Sequence, residues 1–115
     1  MTSDFVKDIE TQLKVAKGIV EFHQSLERLA DSKDFKKVIL DGYFKDEAIR
    51  LVHLKADPAM QSADTQKSLL AQMDSIGALS SYFRSVRLKA EMAAKTIASN
   101  EDALAEIAAE ELNNV

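Results

Sequence analysis

The sequence predicts an all-α protein, an elongated antiparallel pair of long helices with short helices packed between them. Three observations carry that reading. Apolar residues recur at helical steps of three and four over a long stretch at each end of the chain. Only three glycines and one proline interrupt 115 residues. A compact globule of this length has a radius of gyration of ~13 Å and is about 35 Å across. Helices of about 50 and 40 Å, at 1.5 Å per residue, do not fit inside it.

The first long helix is expected over about residues 4–30, with Ser3 as N-cap and Asp4 and Asp8 near the positive end of the helix dipole. Val6, Ile9, Leu13, Ala16 and Val20 form one apolar seam, and Ile19, Phe22, Leu26 and Leu29 continue on a shifted one. A stripe that broad serves two neighbours rather than one. Asp31-Ser32-Lys33-Asp34 reads as a stop followed by a fresh N-cap. A short helix over about 33–41 should then end at Gly42, a candidate left-handed C′ residue. Another is expected over about 44–55, burying Ala48, Ile49, Leu51 and Val52. Asp57-Pro58 halts it, and Pro58 suits the first position of a new turn.

Gln61–Lys67 is the best loop candidate, and from about Ala63 a long helix runs to about residue 98. Its seams are Leu69, Met73, Ile76, Ser80, Phe83 and then Leu79, Phe83, Val86, Ala90, Ala93, Ile97. Gly77, Ser80 and Ser81 would let another backbone approach closely. Ser99-Asn-Glu-Asp102 resembles a capping box, so a break and a separate acidic helix over about 100–112 are expected. All of this is read as a single helical domain over residues 1–115, roughly 65% of whose unfolded surface a compact fold would bury.

Composition sets limits on function. No apolar run approaches the roughly 20 residues of a membrane span, and the early Asp4 and the lack of an apolar h-region argue against a secretory signal. With no cysteine there is neither a disulfide framework nor a thiolate metal site. The net charge of −4 is concentrated at the end. Residues 1–99 carry 15 basic and 14 acidic side chains, whereas residues 100–115 carry five acids and no base. A near-neutral body disfavours general nucleic-acid binding.

Catalytic patterns are missing too. His23 and Glu27, four apart, could share a helix face as one edge of a metal site, but no His-Glu-x-x-His or Glu-x-x-His pair accompanies them. Glu47-Ala-Ile-Arg50 puts arginine where a ligand would stand. Isolated Gly18, Gly42 and Gly77 build no phosphate loop, and Ser80 and Ser81 have no base in sequence reach. No catalytic, cofactor-binding or metal residue is assigned, no cofactor or small-molecule substrate is expected, and the chain is read as a non-enzyme.

Lys33, Lys36, Lys37 and Lys45 surround Phe35, Tyr43 and Phe44 but are interleaved with acids that cancel their field. Arg84, Arg87, Lys89 and Lys95 have only Glu91 against them. Five of the seven aromatics fall mid-chain. Phe35, Phe44 and Phe83 read as shared core, and Tyr43, Tyr82, Arg84 and Arg87 as interface candidates, since aromatic and arginine side chains dominate binding hot spots.

The run from Leu26 through Asp34-Phe-Lys-Lys-Val-Ile-Leu-Asp-Gly-Tyr-Phe-Lys-Asp-Glu-Ala-Ile-Arg-Leu-Val52, with Asp57-Pro58 and Ile76-Gly-Ala-Leu-Ser-Ser-Tyr-Phe-Arg84, resembles small helical proteins encoded among the virion genes of tailed bacteriophages. The likeness covers residues 20–95. It implies a virion structural or assembly component, assembled in the host cytoplasm, whose partners are itself or other virion proteins. It transfers no functional residues. The alternative is a small phage regulator that clasps a host or phage protein through the aromatic patch. Nucleic-acid binding through Arg84, Arg87, Lys89 and Lys95 ranks below both.

Overall fold

The computed structural model describes the backbone of residues 2–114 and the side chains of residues 4–114, so the expected Ser3 cap lies outside the described side chains. The chain folds as α1 (Thr2–Asp31), α2 (Lys33–Phe35), a π-helical segment (Lys36–Glu47), α3 (Ala48–Ala56), a 3₁₀ turn (Pro58–Met60) and α4 (Ala63–Asn113). The described residues contain no strand. Two long helices pack together with the shorter ones between them in the chain, as the sequence predicts. The contacts gather into two compact units, residues 1–25 with 85–115, and residues 26–84.

In the first unit the two helix stretches run antiparallel. Val6, Ile9, Leu13, Ala16, Val20 and His23 face inward from α1, and Val86, Ala90, Ala93, Ile97, Asn100, Leu104 and Ile107 from α4. Both sets alternate steps of three and four, the 3.5-residue repeat of a coiled coil. Ala16, Ala90 and Ala93 are buried at this seam, and small side chains allow the backbones to come close.

The expected break at residues 99–102 does not occur: α4 continues unbroken to Asn113. Asn100 turns its amide Nδ2 to donate to Gln12 Oε1 at 3.1 Å, and Glu101 meets Lys17 Nζ at 3.7 Å. Leu104 and Ile107 keep the seam going past the presumed stop. An apolar repeat that continues in register outweighs a capping-box motif, because breaking the helix there would expose both residues.

The second unit departs further from expectation. The N-cap expected within Asp31–Asp34 is Ser32, its Oγ accepting from Phe35 N–H at 3.1 Å. The helix it starts does not end at Gly42. No described residue has positive φ, and the helix runs to Ala56 with residues 36–47 wound as a π-helix. The ring contacts give the physical reason. Phe35 and Phe44, nine residues apart, both lie against Phe83, at 5.9 and 6.0 Å between ring centroids. Nine residues make about 2.5 turns of α-helix and would put the two rings on opposite faces. At about 4.4 residues per turn a π-helix brings them to the same face after two turns. Phe35, Ile39, Phe44 and Ala48, at steps of four, five and four, form that inward line and are all half-buried.

Tight polar geometry closes this unit. Asp57 Oδ1 accepts from Ala59 N–H at 2.9 Å, with Pro58 at the start of the turn as predicted. Gln61 Nε2 donates to the carbonyls of Lys55 and Asp57, and Gln66 Nε2 to those of Lys55 and Met60. Ser62 Oγ then caps α4 by accepting from Thr65 N–H at 3.2 Å. The expected loop over residues 61–67 therefore shrinks to residues 61 and 62.

Candidate partner-binding surfaces

Exposed apolar side chains, rather than polar clusters, mark the candidate sites. In the first unit Val15, Ile19 and Phe22 continue at helical steps along α1 beside the buried seam. Val15 is 60% exposed and Phe22 56%. On α4, Leu88 and Met92 occupy the matching flank, Met92 at 71% exposure. Between the helices lies a groove of about 500 Å³ lined chiefly by Thr11, Val15, Ile19, Lys89, Met92 and Thr96. Lys89 is the one charged residue on that lining. This is the second face that the broad stripe of α1 predicted, although Phe22 and, in the other unit, Leu29 are exposed and not packed.

In the second unit the rings form one cluster. Tyr43 touches Phe44 and Tyr82 touches Phe83, each at 5.9 Å. The interface candidates Tyr43 and Tyr82 thus sit on either side of the Phe44–Phe83 contact, Tyr43 half-buried and Tyr82 51% exposed. Arg84 is exposed in this unit and Arg87 is exposed in the first. Phe35, Phe44 and Phe83 are half-buried rather than enclosed. The enclosed side chains are Leu51, with no accessible surface, and Leu69.

Three expectations need correction in this unit. Of the four residues expected inside, Leu51 is buried and Ala48 half-buried, but Ile49 and Val52 are 49% and 60% exposed, because the inward line handed on by the π-helical segment runs through Ala48 and Leu51 alone. With Val38 (61% exposed) they leave apolar surface uncovered. Gly77 meets no neighbour: a Cβ built there has nothing within 4 Å. Ser80 and Ser81 are exposed as well, so no backbone approaches closely at that point.

Among the described residues no three histidine, aspartate or glutamate side chains gather as a metal site would require. The guanidinium of Arg50 grips the Glu47 carboxylate in a bidentate pair, Nε to Oε2 at 3.0 Å and Nη2 to Oε1. That hydrogen bonding holds Glu47 below its ordinary value of 4.5 and raises Arg50. The pair is solvent-exposed and joins neighbouring turns of one helix, so it staples the junction of the π-helical segment and α3. No described helix is long and apolar enough to cross a membrane.

Sequence reasoning missed the π-helix. The signal was present in the four-five-four spacing of Phe35, Ile39, Phe44 and Ala48, which matches neither the α nor the β period. Comparison of the chain with protein families, with characterised proteins and with solved structures found no match.

Proposed function

We propose that this chain is a non-enzymatic assembly protein that works by packing its open helix faces, in an oligomer or on a larger protein. The observation that carries the reading is surface left over after folding. The chain exposes 8639 Å². Two separate compact bodies of half its mass would together expose only about 7500 Å² by the usual mass scaling. The difference of roughly 1100 Å² exceeds the ~800 Å² that each partner contributes to a standard interface. Among the described residues eight apolar side chains are buried while thirteen large ones are exposed. Such a ratio favours a fold completed by a partner, since contiguous apolar patches on a protein surface are characteristic of interaction sites.

The resemblance of residues 20–95 to phage virion proteins supplies the setting: a structural or assembly component of the particle, put together in the host cytoplasm. The test is to quantify the protein in purified particles. Many copies per particle support the reading. Absence from particles together with stoichiometric binding of one soluble target replaces it with the regulator.

A further inference from the structure

We infer that the groove of the first unit, centred on Val15 and Met92, is the self-association face on which a second copy of this chain seats antiparallel. The inference rests on the assembly reading and names its first partner. Two features point to a second copy.

The first is the chemistry of the face. Val15, Ile19, Leu88 and Met92 offer an apolar centre with Lys89 as the only charge on the groove. Depletion of charge at the centre and enrichment in methionine are the marks of an interface core. Two helices carrying a second apolar flank need two more helices to cover it. A second copy supplies them by turning a two-helix pair into a four-helix bundle, with the flank of each copy covering that of the other.

The second is the distribution of charge along the unit. On one side of Val15 and Met92, over residues 4–14 and 93–115, there are eight acidic side chains and three basic. On the other side, over residues 16–25 and 85–91, there are three basic and two acidic. The unit is therefore strongly negative at one end and slightly positive at the other. A parallel copy would lay like charges side by side. An antiparallel copy, related by a two-fold axis near Val15, brings Lys89 of one chain, on the groove lining, toward Asp8 of the second, two helical turns before Val15 on the same face of α1, twice over. A closed isologous pair of this kind uses the same patch on both chains and leaves nothing to propagate.

The chain contains no cysteine, so the test is clean. The mass of the full chain is measured by light scattering over a concentration series, alongside a Val15→Glu, Met92→Glu variant. Both side chains are mostly exposed, so the variant keeps its helix content by circular dichroism. The expected result is a dimer that the variant weakens at least a hundredfold. Lys89→Glu is expected to weaken it at least tenfold at low salt and less at high salt. A single Val15→Cys should cross-link to itself under mild oxidation, whereas Ala94→Cys, on the other side of α4, should not.

A folded wild-type monomer at every concentration overturns the inference and leaves the assembly reading to the particle experiment. A dimer indifferent to the Val15 and Met92 changes overturns the choice of face. A dimer lost in the double variant but absent from particles upholds the face and sinks the assembly reading instead.

Discussion

Three glycines sit inside helices of this protein, and alanine substitution at each separates the π-helix from ordinary α-helix. Glycine in a helix interior costs about 0.8–1.0 kcal/mol relative to alanine. At Gly18 and Gly77 a Cβ has nothing within 4 Å, so Gly18→Ala and Gly77→Ala should each recover most of that amount. At Gly42 the new Cβ would lie 3.2 Å from the Lys37 carbonyl oxygen, five residues back, where the π-helical hydrogen-bond pattern brings that carbonyl round. Ordinary contact begins a few tenths of an ångström further out, and the carbonyl cannot retreat without lengthening its own hydrogen bond. Gly42→Ala should therefore gain nothing or lose stability, about 1 kcal/mol worse than Gly77→Ala. For a unit of 60–100 residues that separates the two melting temperatures by about 4–8 °C. Urea unfolding followed by far-ultraviolet circular dichroism, at one fixed protein concentration so that association contributes equally, gives the comparison. Equal stabilisation by Gly42→Ala and Gly77→Ala would refute the argument, because it would mean residues 36–47 are wound as α-helix in solution.

Other perturbations test the rest of the packing. Leu51→Ala empties a fully enclosed site and should cost about 3–4 kcal/mol, read as a lower urea midpoint. Ala90→Leu and Ala93→Leu overfill the close antiparallel seam and should each cost about 1–3 kcal/mol, measured the same way. Glu47 has a folded pKa below its ordinary value of 4.5, so its pairing with Arg50 contributes above that pH and the contribution is lost as pH falls through the folded value. Glu47→Gln should accordingly lower stability slightly at pH 7 and flatten its decline below pH 4.5, seen by comparing unfolding curves of the two proteins at both pH values.

The long helices were legible because their signals repeat. Val6, Ile9, Leu13, Ala16 and Val20 reinforce one another over many turns, and so do Val86, Ala90, Ala93 and Ile97. No single residue has to be read correctly for the seam to emerge. Local signals with tertiary support were legible as well: Ser32 caps where expected, and Pro58 starts its turn. Local signals without that support failed. Ser99-Asn-Glu-Asp102 has the composition of a helix start, but Leu104 and Ile107 hold the register of the seam through it, and packing outweighs a cap of about 1 kcal/mol. Gly42 failed for a related reason. A glycine followed by aromatics reads as a stop, yet here its missing side chain makes room for a carbonyl inside a widened helix.

The same contrast explains why the candidate surfaces were only half visible. The second stripe on α1 could be read from Ile19 and Phe22, but its counterpart on α4, Leu88 and Met92, is too sparse to register as a seam in one chain. It becomes a face only when the antiparallel pairing sets it beside Val15 and Ile19. The exposure of Ile49 and Val52 was invisible for the opposite reason. An α-helical wheel assigns them to the inside, and the π-helical register imposed by Phe35 and Phe44 meeting one ring, Phe83, rotates them out. A surface created by a departure from regular geometry cannot be found by assuming that geometry, so the steps of four and five between apolar residues are the feature to search for in other helical chains.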